Sequence, residues 1–334
     1  MGFRKGRLRY NMMQDLDISI IVPIYNEEES LSELSNWINE VMKENNFTYE
    51  ILLIDDGSID SSWDKIMEHS HLNPSIKGIK FRRNYGKAAA LQIGFDVAQG
   101  EVVLTLDADL QDSPDEIPAL YKMVKEQGYD LVSGWKKKRY DPLVKTISSK
   151  LFNMATRMIS DIKLHDFNCG LKAYRSKVVK SIELYGEMHR YIPVIAKWAG
   201  FTNIGEKVVK HKQRKHGNSK YGSLRFVYGF LDLLSITFVT RFTKKPMHFF
   251  GSLGVIFFII GFFIALWLGI EKLYYISNNI KAPLITSKPF FYIALVDMIL
   301  GTQLFLTGFL GELMTRSFHK REQCLIEDKI NFHD

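Results

Sequence analysis

The chain has 334 residues, 46% of them apolar and 24% charged, an ordinary globular balance that leaves room for one large domain or two small ones. Its net charge of +7 admits nucleic acid, an anionic membrane face or a phosphorylated ligand as partner. Cys169 and Cys324 are too few for a disulfide framework and lack metal-ligand spacing.

Residues 1–16 read as a basic tail. No apolar stretch follows MGFRKGRLRY, so no signal peptide is expected, and Gly6 stands where a myristoylation signal wants Ser or Thr. ISIIVPIYN, from Ile18, is an apolar, β-branched run that predicts a buried strand. Acids then open a helix whose apolar residues, Leu31, Leu34, Ile38 and Val41, recur at helical spacing. YEILLIDDGSIDSS predicts a second strand and turn, and SSWDKIMEHS a second helix. IKGIKFRRN is a third strand, and GKAAALQIGFDVAQG a third helix with Gly100 in the stop position. EVVLTLDADL, DEIPALYKMVKEQG and YDLVSGW continue the alternation as strand, helix and strand. Strands alternating with helices predict an α/β, doubly wound parallel sheet. Ligands of such sheets sit beyond the carboxyl ends of the strands, which is where the polar clusters fall.

One of those clusters follows the fourth predicted strand. Asp107 and Asp109, two apart, suit a hard cation such as Mg²⁺ or Mn²⁺ that also takes phosphate oxygens. Asp112, Asp115 and Glu116 read instead as a solvated acidic start to the next helix. No Walker A pattern is present and no G-x-G-x-x-G follows the first strand, so a nucleotide would be held some other way.

Two apolar runs, about 248–270 and 289–311, are long enough to cross a bilayer; the first has no Asp, Glu, Lys or Arg and the second only Asp297, which is given no catalytic role. Arg241, Lys244 and Lys245 precede the pair, and Arg316, Lys320 and Arg321 follow it. The loop between carries Glu271, Lys272, Lys281 and Lys288. That distribution predicts a multi-pass protein of the cytoplasmic membrane with both termini in the cytoplasm. The expected organisation is a cytosolic α/β domain over 17–225, an interfacial amphipathic helix over 226–246, a transmembrane region over 247–314 and a cytosolic tail over 315–334. The segment TISSKLFNMATRMISDI, with Met154 and Met158 at helical spacing, is a second candidate for an interfacial helix, and GEMHRYIPVIAKWAGF, with His189 and Arg190, a candidate lid or acceptor wall.

IIVPIYNEEESL, LLIDDGSIDSS, RRNYGKAAAL, LTLDADLQDSPDEIP, HDFNCGLKAYR and RKHGNSKYG together resemble a family-2 glycosyltransferase of the nucleotide-sugar-binding GT-A fold, over roughly residues 17–225. With the two spans added, the chain is similar to the polyprenyl-phosphate glycosyltransferases. The resemblance implies an inverting, metal-dependent enzyme that moves a hexose-type sugar from a nucleoside diphosphate to a polyprenyl phosphate, undecaprenyl phosphate being expected. It implies that Pro23, Tyr25, Glu27 and Asp55 cradle the nucleoside and that Asp107, Asp109 and Gln111 hold Mg²⁺ or Mn²⁺ on the diphosphate. Lys87, Arg214, Ser219 and Lys220 also belong to the donor site, and Asp109 and Asp166 are the candidate catalytic residues. Relatives often carry Gly-Ser-Arg after the fifth strand, whereas this chain has SGWKKKRYDP. Lys136 therefore stands in the place of an acceptor-phosphate arginine, and Lys150 falls where a second basic residue is expected. Lysine supplies charge but no bidentate fork. A glycan or glycolipid acceptor, and a non-catalytic nucleotide-sugar-binding scaffold, are the competing readings. A nucleic-acid partner is not expected, because no binding module is recognisable. A two-span anchor leaves self-association open.

Overall fold

The computed structural model describes residues 16–137, 153–212 apart from 155, 159, 185 and 187, 246–317 apart from 282, and 324–332. Two units result. One holds residues up to Gly229 together with Gln323–Asp334, and the other holds Phe230–Glu322.

The first unit is built on one eight-stranded sheet. Its chain order begins β1 (Ile18–Ile24), α1 (Leu31–Glu44), β2 (Tyr49–Asp55), α2 (Ser62–Leu72), β3 (Ile76–Phe81), α3 (Lys87–Val97), β4 (Val102–Thr105), α4 (Ile117–Lys125) and β5 (Leu131–Trp135). It continues with β6 (Lys172–Arg175), α5 (Ser176–Ser181), α6 (Ile192–Trp198), β7 (Ile204–Val208) and, from the far end of the chain, β8 (Ile326–Ile330). The sheet order is β7-β5-β6-β4-β1-β2-β3-β8.

Side chains alternate across this sheet as a strand period of two requires. Ile18, Ile20, Val22 and Ile24 face a core shared with Leu34 of α1, Ile66 of α2 and Leu120 of α4. Ile21, Leu52 and Ile54 face the opposite core, with Leu91 and Phe95 of α3 and Val178 of α5. Both faces are covered, which is why these strands read as continuous apolar runs.

The expected parallel sheet holds for β3, β2, β1 and β4. Beyond β4 it changes direction, because β6 runs antiparallel to both β4 and β5. This reversal positions the site: the start of β6 lies at the same edge as the ends of β1, β2 and β4, with Lys172 paired to Thr105. Gly100 also departs from expectation. α3 ends at Val97, and Gly100 instead allows close backbone approach to β1, since a Cβ there would lie 2.4 Å from the Ser19 nitrogen.

Residues 326–330, expected as part of a cytosolic tail, form β8 and extend the sheet antiparallel to β3. The second unit is a helical hairpin. A π-helical turn, Met247–Gly251, leads into α7 (Ser252–Ser277), and α8 runs Pro289–Ser317. The spans Met247–Ser277 and Pro289–Leu313 are long and apolar enough to cross a membrane. Both helices outrun their apolar cores, so Glu271 and Lys272 belong to α7. The expected interfacial helix over 226–246 lies outside the described residues.

Candidate active site

Five loops meet at the carboxyl edge of the sheet. The β1 and β2 loops are laced together by backbone-to-side-chain bonds. Asn26, in the left-handed region at φ 53°, donates its N–H to Ser58 Oγ (2.9 Å) and accepts from Ile59 N–H (2.9 Å). Asn tolerates that conformation better than most residues. Glu27 N–H donates to Ser62 Oγ at 3.0 Å. Pro23 lies in β1, with Tyr25 and Glu27 just beyond it, all partly exposed at this edge.

Asp55 ends β2 fully buried. Its Oδ1 accepts Ser58 N–H at 3.0 Å, and its Oδ2 has no hydrogen-bond partner among the described residues. Burial raises its pKa against the pull of the Ser58 bonds. Asp56, beside it, accepts Tyr85 N–H (2.6 Å) and Gly86 N–H (2.9 Å), and burial pushes its pKa up to about 6. Asp56 thereby fastens the β3–α3 loop to the end of β2, a role that the DD doublet did not disclose.

That loop delivers Lys87, the first residue of α3, to Asp107, with Nζ 2.5 Å from Oδ1. Burial opposes ionisation of Asp107, but Lys87, then Lys136 and Lys172, outweigh it and lower its pKa. Asp109 shifts the other way, raised first by burial and then by the Asp107 charge. Leu110 follows at φ 60°, a conformation uncommon for a non-glycine residue and concentrated at functional turns. Gln111 N–H bonds back to Asp109 Oδ1 at 3.3 Å. The β6 approach packs against this loop: a Cβ at Gly170 would lie 2.4 Å from Asp107 Cγ, so only glycine leaves the carboxylate its place. Thr105 Oγ1 donates to Gly170 O at 2.8 Å and holds that approach.

Among the described residues no three His, Cys, Asp or Glu side chains converge as a self-sufficient metal cage. The pair Asp107 and Asp109 nevertheless fits a divalent cation of the kind that takes one or two carboxylates and completes its shell with substrate phosphate and water. The Asp107 charge adds to the burial that raises the Asp109 pKa, and a cation held by both carboxylates would relieve that repulsion.

Asp166 is buried in the loop before β6. Its Oδ1 accepts Asn168 N–H at 3.0 Å, and its backbone oxygen accepts the Ser133 hydroxyl at 3.1 Å. Lys172, also buried, donates to Cys169 O; burial, with Lys87 nearby, lowers its pKa. His189 lies within electrostatic reach of Lys87, Arg190, Lys172 and Asp107. Its pKa falls well below the ordinary value, through burial first and then those cations.

Two expectations change. Asp112 is not a solvated helix cap: it is fully buried, with Oδ1 2.7 Å from Lys136 Nζ. Glu116 is likewise turned inward, bonded to Lys207 and accepting Lys210 N–H at 3.3 Å. Lys136 is itself mostly covered. Burial pushes its pKa down, but Asp112 and Asp107 reverse that and raise it. The lysine expected to meet an acceptor phosphate is thus paired with Asp112. Lys150, Arg214, Ser219 and Lys220 lie outside the described residues. The chain that leads to the last three starts from the site, since Lys212 N–H donates to Gln111 O at 2.9 Å.

The model of glycosyl transferase family 2 matches residues 19–183. Dodecaprenyl-phosphate galacturonate synthase of Rhizobium johnstonii is 36% identical over 92% of this chain and 90% of its own. Undecaprenyl-phosphate 4-deoxy-4-formamido-L-arabinose transferase of Aeromonas hydrophila is 33% identical over 90% of this chain and 89% of its own. Among solved structures, glucosyl-3-phosphoglycerate synthase of Mycobacterium tuberculosis superposes with a TM-score of 0.53 at 17% identity, covering 66% of this chain and 79% of that one. The same synthase has also been crystallised with Mn²⁺, uridine diphosphate and glucosyl-3-phosphoglycerate, and that form superposes at 0.52. At such identity the superposition establishes the GT-A fold and nothing finer, while the full-length relatives establish kinship: the chain belongs to glycosyl transferase family 2.

Proposed function

We propose that this protein moves a sugar from a nucleoside diphosphate to a polyprenyl phosphate at the cytoplasmic face of a membrane. The observation that carries the reading is the pair Asp107 and Asp109 at the end of β4, pressed on Gly170 and faced by Lys87. Relatives that act on dodecaprenyl or undecaprenyl phosphate by name match the chain through the helical hairpin as well as the sheet.

Asp107 and Asp109 would hold the cation, Mg²⁺ or Mn²⁺, with Gln111 at the rim of the same loop. A bound divalent cation supplies charge neutralisation for the departing diphosphate. Lys87 would exchange part of its bond to Asp107 for a phosphate oxygen. The unsatisfied Oδ2 of Asp55 would accept an N–H from the base, which satisfies a buried carboxylate oxygen that otherwise costs about 1–3 kcal/mol. Arg214, Ser219 and Lys220 would contribute further contacts to the diphosphate, as the resemblance implies. The acceptor phosphate is already anionic at neutral pH, so it needs placement on the far side of the sugar more than deprotonation. Asp166 is the candidate for that placement.

Membrane attachment has two supports. β8 follows both candidate spans yet pairs with β3, which precedes them, and this supports two crossings that bring the chain back to the side it left. The excess of Lys and Arg on that side assigns it to the cytoplasm. The short helical stretch near residue 156 also buries polar Asn153, Thr156 and Ser160 while exposing Met154 and Met158, an inverted pattern that suits an apolar surround.

The test is transfer of labelled sugar from a panel of UDP- and GDP-sugars to undecaprenyl phosphate in detergent or vesicles. The reading expects an organic-extractable product that EDTA and Asp109→Ala both abolish. Donor hydrolysis without lipid product would defeat the acceptor assignment.

A further inference from the structure

The loop that carries Lys87 is held from two sides. Asp56 grips it from below through Tyr85 N–H and Gly86 N–H, and Gly57 lies so close that a Cβ there would be 2.5 Å from the Arg83 carbonyl carbon. The other grip comes from the end of the chain. Arg82 N–H donates to Leu325 O at 3.1 Å, and Leu325 N–H donates to Tyr85 Oη at 3.3 Å across 240 positions of sequence. The Tyr85 ring stands edge-on to Phe81 at 5.7 Å and lies under the Arg83 guanidinium at 4.5 Å.

We propose that the C-terminal strand is a positioning element of the donor site, acting through Leu325 and Tyr85 to fix the loop from which Lys87 reaches Asp107. The proposal rests on the reading of Lys87 and Asp107 as donor-diphosphate groups. Three observations set it apart from simple covering of a sheet edge. First, β8 is mostly polar: Glu327, Asp328 and Lys329 are exposed, and only its ends, Ile326 and Ile330, pack on the two cores, so it adds little apolar cover to the sheet edge while pairing its backbone with β3. Second, the register with β3 shifts between Lys80 and Phe81, immediately before the loop. Such irregularities re-aim a strand and are common beside active sites; beyond this one, Leu325 addresses Arg82 and Tyr85. Third, the far end of the strand is anchored apart from the site, by Asn331 Nδ2 bonded to Ser70 O (2.9 Å) and Ile76 O (2.7 Å). The strand is thus anchored at one end away from the site and bonded at the other to the loop that carries Lys87. A catalytic domain cut off before the hairpin would lack this brace.

The experiment compares three full-membrane preparations in the lipid transfer assay: wild type, a chain stopped after Gln323, and Tyr85→Phe, which keeps the ring and removes the hydroxyl. The stopped chain is expected to show a donor KM raised about fivefold to tenfold, the scale of one or two lost hydrogen bonds, with the lipid KM unchanged. A synthetic peptide of residues 324–334 added in trans should lower the donor KM again. Tyr85→Phe should raise the donor KM about threefold on the same scale, with an unaltered melting midpoint. An unchanged donor KM in Tyr85→Phe overturns the proposal, whether or not the stopped chain folds. Equal rises in donor and lipid KM, or no response to the peptide by a folded stopped chain, overturn it too. A wild type that transfers no sugar would instead sink the functional reading itself.

Discussion

Asp112 and Lys136 show how charge is apportioned at the level of single residues. A carboxylate at 0% exposure and a lysine at 13% form an ion pair directly behind the Asp107–Asp109 loop. Removing one partner of a buried pair leaves the other uncompensated, typically at about 3–5 kcal/mol. Lys136→Met should therefore lower the melting midpoint sharply, and Lys136→Met combined with Asp112→Asn should recover much of it. A variant with a wild-type midpoint and a raised lipid KM would instead support the acceptor-phosphate role expected of Lys136. Asp56 makes a second case. Its pKa of about 6 stands above the ordinary 3.8, so between those values the folded chain keeps a proton that the unfolded chain has released. This group's contribution to stability is full below that window and is lost as pH rises through it. The midpoint of wild type relative to Asp56→Asn should accordingly fall between about pH 4 and about pH 7. Sequence places Asp107 and Asp109 at a strand end, and the structure puts them beside Lys87 and Gly170. The burial of Asp112 was not legible in sequence: the helix-start pattern DSPDE gives no sign of a lysine 24 residues later, and that long-range partner decides its environment.

The elements divide in the same way. β1 to β5 were legible because both faces of the sheet are covered, and burial on both faces writes an apolar run into the sequence. β6 was quoted as part of a motif and not read as a strand, and its reversed direction depends on pairing with β4, which local pattern does not encode. β8 was missed for a plainer reason. IEDKI carries three charges in five residues, as an exposed edge strand can, and its partner lies near residue 80. The hairpin helices were legible by length, but their contact is a matter of glycines. A Cβ at Gly301 would lie 2.6 Å from Gly254 O, and one at Gly261 would lie 2.6 Å from Ala294 O. Small residues that let backbones approach are how membrane helices pack. Gly301→Leu should part the helices and lower the detergent-solubilised midpoint, with an overpacking cost of about 1–3 kcal/mol. A substitution on the lipid-facing side of α8, such as Leu306→Ala, should leave it nearly unchanged.

At the scale of the whole molecule, one sheet is completed by both ends of a chain that is interrupted by a membrane-length hairpin. Sequence alternation was enough to forecast the sheet, and the clustering of polar turns at its carboxyl edge was enough to forecast a site. What sequence could not supply was the order of strands beyond β4 or the return of the tail, because both are fixed by pairings between distant segments. The proposal at the centre of this reading is that Asp107 and Asp109, at the end of β4 and faced by Lys87, hold a divalent cation against the donor diphosphate. Binding of UDP and GDP by the full-length protein, measured by calorimetry with and without Mn²⁺, tests that claim most directly. The account predicts that the favoured nucleotide strengthens Mn²⁺ binding by the same factor by which Mn²⁺ strengthens its own, and that Asp109→Ala removes this coupling. Nucleotide binding of equal strength with and without the metal, or coupling that survives in Asp109→Ala, would contradict it.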